Sequence, residues 1–326
     1  MSKSLYGWGS NLHGQLRRPL AMTQCEEPMY IDKVDSIIGA TGSQIFVSLD
    51  QQSFYYGLTA DEQDWSSDQE RHSLPWNSHR SLIGADELLS TLDQNGHLYS
   101  GVEGVRRMNP PWRDVAIDIT GRVVAITNKG EAYLYRTHEN FILGHNAQHL
   151  YLEDPHDCPK FDQVAAGGAH FLLLAQNNPS PLYITGDNRF GQFGELEVFS
   201  KEGHLHEISF FSKDKGFPCS IASISCGYRH SIALTKDGDA YIWGWVQNEN
   251  DSFSGPAPVD VGNEDAELPN ITAVACAAEA SLFLLQDGTV WTVGERGTMK
   301  ARQIPLPKPA LQIAAAQWSY YALTYA

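Results

Sequence analysis

The residues of this 326-residue chain best suited to chemistry are its 12 histidines and 5 cysteines. His230 and Ser231 are adjacent and Asp237 follows, which are the residue types of a hydrolase triad. A triad also needs its nucleophile raised on a sharp turn, and nothing around Ser231 reads as a nucleophile elbow. His204-Leu205-His206 and the pair His145 and His149 could touch a metal, but neither comes with Cys or carboxylate partners at the spacing of a zinc site. Cys25, Cys158, Cys219, Cys226 and Cys276 include no CxxC pair. Their odd number and wide scatter argue against a disulfide framework and a structural zinc site. The expectation is a chain that is not an enzyme, with no catalytic residue, no metal and no cofactor.

His170 and His230 have a different explanation, because each follows the same kind of segment. The clearest copy is ISCGYRHSIALTKDGDAYIWG, from Ile224 to Gly244. Small residues lead into an apolar strand, Lys236-Asp237-Gly238 turns the chain, and Ala240 to Trp243 forms a second strand ending on Gly244. Asp-Gly between two alternating apolar runs is a hairpin signal, because glycine supplies the positive φ the turn needs. Copies run from Leu284 to Gly294, Thr91 to Gly101 and Ile126 to Tyr135, with weaker ones from Phe46 to Gly57 and Leu172 to Gly186. A histidine at a repeated position is architectural. It is expected to bond to backbone within its own unit.

The second strands end at Gly9, Gly57, Gly101, Arg136, Gly186, Gly244 and Gly294. Intervals of about 35 to 60 residues suit the blades of a propeller. Seven marks imply an all-β, seven-bladed β-propeller occupying residues 1–326 as a single domain. Small residues precede the hairpins, as in Ala165-Ala166-Gly167-Gly168 and Ala314-Ala315-Ala316, where strands converge near an axis and bulky side chains would collide. The chain ends on a first strand, IAAAQWSYYALTYA, and begins on a second, SLYGWG. Pairing of these N- and C-terminal strands would close the ring and remove its exposed edges.

Two hairpins are followed by a further motif, GSNLHGQL at Gly9 to Leu16 and GDNRFGQFG at Gly186 to Gly194. With CGYRHSIALTKDG, this resembles the regulator-of-chromosome-condensation repeat family, whose members fold as seven-bladed propellers. The glycine-asparagine motif has decayed after the other hairpins. In length and acidity the chain looks most like the compact fungal alpha-tubulin-suppressor, or killer-toxin-insensitivity, branch. That resemblance implies a cytosolic protein-binding scaffold. Its partner would be the small metal-binding diphthamide-biosynthesis protein, with roles in diphthamide formation and Elongator-dependent tRNA wobble-uridine modification. The family also offers guanine-nucleotide exchange on a small GTPase, or an adaptor role for a nuclear oxygenase or chromatin enzyme.

Bulk properties narrow the partner. Hydrophobic residues make up 42% and charged residues 19%, enough apolar surface for a sizeable core. The net charge of −16 repels a phosphate backbone, and the pairs Arg17-Arg18 and Arg106-Arg107 are isolated, so direct nucleic-acid binding is not expected. No run approaches the roughly 20 apolar residues of a membrane helix, and the N-terminus lacks a signal-peptide core. The expectation is a monomer or heterodimer of the cytosol or nucleus, off the membrane.

For the partner surface, tryptophans outside the repeat are the natural candidates. Trp8, Trp243 and Trp291 lie in second strands and are packing residues. Trp65 and Trp76 lie in the charged segment Thr59 to Arg80, and Trp112 follows a Pro-rich stretch. Each could anchor a partner or fold over its own blade edge. The excursion from Glu195 to Ser220 offers a loop around His204, with HEISFF as its outer strand. Trp65, Trp76, Trp112 and His204 are therefore the candidate partner-binding residues.

Overall fold

The computed structural model describes residues 3–17, 22–57, 71–76, 79–101, 103–107, 109–152, 158–175, 178–195, 203–245, 254–261, 270–294 and 300–326. Among these, each copy of the repeat is a four-stranded antiparallel sheet, and there are seven such sheets. In the clearest blade the strands are, from inside out, Ile221–Cys226, His230–Thr235, Ala240–Gly244 and Ser254–Pro258. The blades are numbered by their inner strands. Blades 1 to 3 start with Ser36–Ala40, His79–Ile83 and Trp112–Ile117. Blades 4 to 7 start with Gln163–Ala166, Ile221–Cys226, Ile271–Cys276 and Ala310–Ala315.

The second strands are apolar throughout because both of their faces are covered. All six residues of His230–Thr235 are buried. Successive side chains point to opposite faces. Ile232 and Leu234 pack with Phe283 and Leu285 of blade 6, whereas Ala233 packs with Leu172 and Leu174 of blade 4. Seven apolar clusters arise in this way among the described residues, each spanning two consecutive blades. One of them joins Leu5, Ile31 and Leu323 of blade 7 to Ile45, Val47 and Tyr56 of blade 1. The ring is therefore closed by packing.

Blade 7 draws on both ends of the chain. Ala310–Ala315 and Ser319–Tyr325 supply its inner two strands, and Lys3–Ser10 and Gln24–Val34 its outer two. Lys3–Ser10 pairs with Ser319–Tyr325 from Lys3↔Tyr325 to Gly9↔Ser319. The expected closure is present, with Leu5 and Trp8 almost fully buried in the closing strand.

The turns differ in detail from a two-residue hairpin. In blade 5 the Thr235 amide donates to the Asp239 carbonyl at 2.8 Å around a three-residue loop, and Gly238 alone in that loop has a positive φ, 94°. This is a type I turn followed by a left-handed glycine. Blade 1 has the true two-residue turn: Leu49 pairs with Gln52 across Asp50 and Gln51, both at positive φ. The strand expected over HEISFF is shorter. Only His206–Glu207 pairs, and Ser209–Phe211 winds into a 3-10 turn that buries Phe211 against Trp243.

Candidate functional site

In every blade the inner-to-second turn and the end of the third strand lie on the same side, designated the upper face. The Asp-Gly hairpins lie on the lower one. The two glycine-asparagine motifs are both upper-face loops. The Asn11 amide donates to the Met22 carbonyl at 3.0 Å, and its oxygen accepts from the Leu16 amide at 2.9 Å. Gln15 accepts from the His13 amide and donates to Ser319 Oγ at 3.1 Å. Asn188 and Gln192 repeat the pattern in blade 4, accepting from the Phe193 and Phe190 amides. These amides hold the loops and are buried.

The histidines are clasps between blades, a correction to the expected bond within the blade. His170 Nε2 lies 2.9 Å from Ser231 Oγ of blade 5, and His230 Nε2 lies 2.8 Å from Ser281 Oγ of blade 6. Arg122 occupies the same position in blade 3 and donates to the Ala169 carbonyl of blade 4 at 2.7 Å. Gly167 and Gly227 make room for the imidazoles, since a Cβ at either would collide with the ring. Burial pulls His170 down to about 3, helped by the neighbouring His230, and pulls His230 down to about 4. Both rings are neutral and closed to substrate. Asp237 lies at the far end of its strand, on the lower face, so no triad forms. Burial raises the thiols of Cys226 and Cys276, the latter to about 11, which leaves them protonated and weakly nucleophilic. Among the described residues no group of three or more His, Cys, Asp or Glu could hold a metal.

Backbone bonds tie the inner turns of blades 4 to 7 into a partial collar around the mouth. Gly168 N donates to the Tyr228 carbonyl, Tyr228 N to Ala278, and Ala278 N to Gln317. Inside the collar is a cavity of about 120 Å³ lined mainly by small residues, such as Ala166, Gly167, Cys226 and Cys276, with Ile119 and Tyr228. A larger one of about 510 Å³ opens on the same face and is lined by Leu12, Glu26, Glu279, Trp318 and Tyr320. Trp318 is 51% exposed, Leu12 55%, Tyr228 42% and Ile119 39%. They stand on the upper-face turns and loops of blades 7, 5 and 3.

The candidates named from sequence do not come together. Trp65 lies outside the described residues. Trp76 is only 7% exposed and packs with Phe46, Tyr55, Leu74 and Leu88 between blades 1 and 2. Trp112 is 6% exposed and packs between blades 2 and 3, its ring 5.5 Å from Phe141. These two are core residues, because the unpaired face each would offer a partner is covered by the neighbouring blade. His204 sits between blades 3 and 4, its ring 4.7 Å from Tyr151. Sequence reasoning missed Trp318 and Arg229. Both occupy the turn position just before the repeat histidine, where Ala169 and Ser43 stand in other blades, so their bulk was the available signal.

Comparison with known proteins agrees with this architecture. Residues 221–250 match the regulator of chromosome condensation (RCC1) repeat. The chain is 27% identical, over 95% of its length and 70% of the relative's, to the RCC1 domain-containing protein RUG3, mitochondrial, of Arabidopsis thaliana. It is 26% identical over 40% of its length to a Homo sapiens RCC1-like G exchanging factor-like protein, of which it covers 28%. Human WBSCR16 superposes over 100% of both chains with a TM-score of 0.75 at 12% identity. Prp20p from Saccharomyces cerevisiae, whose structure was described with its binding to Gsp1p and histones, gives 0.73 at 14% identity, over 100% of this chain and 92% of its own. Repeat, relatives and fold agree, and the chain is similar to RCC1 repeat proteins in sequence along most of its length and in fold throughout.

Proposed function

We propose that the chain is a non-enzymatic protein-binding propeller whose docking surface is the upper face. The observation that carries this reading is the set of exposed apolar side chains on upper-face turns and loops, led by Trp318 beside the 510 Å³ cavity. Such side chains gain most when a partner covers them, and tryptophan loses little side-chain entropy in doing so. The cavity also carries Glu26 and Glu279, and the net charge of −16 speeds encounter with a basic partner. The first partner to test is the small metal-binding diphthamide-biosynthesis protein, which would place the chain in diphthamide formation and tRNA wobble-uridine modification. The compact, acidic single propeller motivates that choice.

The test is recovery of partners by affinity purification from native cells, followed by titration with Trp318→Ala. The exposed ring can be removed without opening the core, so melting should be unchanged. Affinity should fall by about 2 kcal/mol or more, roughly thirtyfold. Parent-like binding would move the surface elsewhere. A second reading, guanine-nucleotide exchange, is favoured by the relatives that carry that name. Accelerated nucleotide release from a small GTPase in the presence of the pure chain would establish it.

A further inference from the structure

Several arginines on this acidic protein are neutralised at home. Arg17 faces Asp32, Arg113 faces Asp162, Arg122 faces Asp118 and Arg189 faces Asp187. Arg229 is different. It stands on the upper-face turn of blade 5, and its guanidinium carbon lies 4.2 Å from the Phe190 ring centre, 4.9 Å from Trp245 and 5.2 Å from Tyr228. Its Nε is buried and has no hydrogen-bond acceptor, and no carboxylate faces it among the described residues. Three rings therefore fix the plane of this cation. A guanidinium so held presents its donors as a preset fork, which matches a carboxylate in two parallel bonds. Arg189, 79% exposed, is engaged by Asp187 on the neighbouring blade 4 loop.

We propose that Arg229 in its aromatic cage is the anchor for one carboxylate of a partner segment, an Asp or Glu flanked by apolar residues. This rests on the upper face being the docking surface, and it names the chemistry of one contact there. Among the described residues the turn offers this cation no carboxylate, and with Nε buried a partner's carboxylate would meet the two terminal nitrogens. The half-exposed Tyr228 ring provides the apolar flank. The net charge of −16 opposes a run of acidic residues or a phosphate chain, whereas a single carboxylate gains at contact, where screening over about 8 Å no longer separates the charges. A partner that is basic overall and carries one such acidic residue satisfies both the long-range field and the local fork.

The probe is the blocked peptide acetyl-Gly-Leu-Glu-Phe-Gly-amide, titrated into the full chain while the Arg229 Nε–H signal is followed by nitrogen-15 NMR. Its Gln twin and inorganic phosphate are the comparison ligands. The Glu peptide should saturate the signal at least tenfold more tightly than the Gln twin, and phosphate should bind more weakly than either. Arg229→Gln should abolish the difference between the peptides at an unchanged melting temperature. Arg229→Lys, which keeps the charge and loses the fork, should retain less than a third of the parent's affinity and carries the test if the Gln variant does not fold. Equal binding of the two peptides overturns the proposal, as does phosphate binding more tightly than the Glu peptide. A purified partner that Trp318→Ala releases and Arg229→Gln retains would sink the anchor and leave the docking face standing. One that neither change weakens would remove both.

Discussion

At the scale of single residues, the repeat histidines show how one position serves the scaffold. Each ring spends its Nε2 on the serine of the next blade and lies where only glycine leaves space. The consequence is a dependence on pH. In the unfolded chain these rings titrate near 6.5, whereas in the folded chain His170 is held down to about 3 and His230 to about 4. Below pH 6.5 the unfolded state takes up protons that the folded state refuses. Their contribution is therefore complete above that pH and is lost as pH falls toward 4, at about 1.4 kcal/mol per pH unit for each ring. Urea denaturation at pH 7 and pH 4.5 should show the loss, and His230→Asn should reduce its slope while lowering stability at pH 7 through the orphaned Ser281. An unchanged slope in the variant would show that other groups drive acid unfolding. The histidine's structural role was legible from its repetition. Its bonding partner was not, because Ser231 and Ser281 belong to the following blades and no local spacing connects them.

Among elements, the hairpins were the most legible because their cause is local. A left-handed glycine after a type I turn sits at Gly96, Gly130, Gly238 and Gly288, and each is visible in sequence as the glycine between two apolar runs. The outer strands were the least legible. His206–Glu207 and Arg302–Gln303 are two-residue pairings whose burial depends on what packs behind them. The same dependence explains Trp76 and Trp112. Both lie beside polar or Pro-rich segments, so sequence gives them an interface look, and only the adjoining blade shows them to be core. Trp76→Ala and Trp112→Ala should each cost about 3–5 kcal/mol, measured by denaturant unfolding, since each empties a closed space between blades. The folded fraction of either variant should bind partners as the parent does. A variant of normal stability that fails to bind would restore that tryptophan to the interface.

On the scale of the whole molecule, ring closure was readable because the two ends carry complementary halves of one unit. The upper-face surface was not, since Leu12, Ile119, Tyr228 and Trp318 come from four distant stretches that only the ring brings to one side. Closure also makes the ring's stability depend on one strand. Lys3–Ser10 is hydrogen-bonded on both sides, to Gln24–Val34 and to Ser319–Tyr325. Leu5 sits directly opposite Leu323, and both belong to the cluster that joins blade 7 to blade 1. Deleting residues 1–9 should therefore expose an unpaired strand on each side of the gap and lower the melting temperature sharply. A double-mutant cycle gives the finer measurement, because it leaves the strand in place. Leu5→Ala and Leu323→Ala should each cost about 2–5 kcal/mol, and the pair should cost less than their sum by about 0.5–3 kcal/mol, since both empty one shared space. Strict additivity, or a truncated chain that melts with the parent, would mean that the ring is held by its other six junctions and that the terminal strand only decorates it.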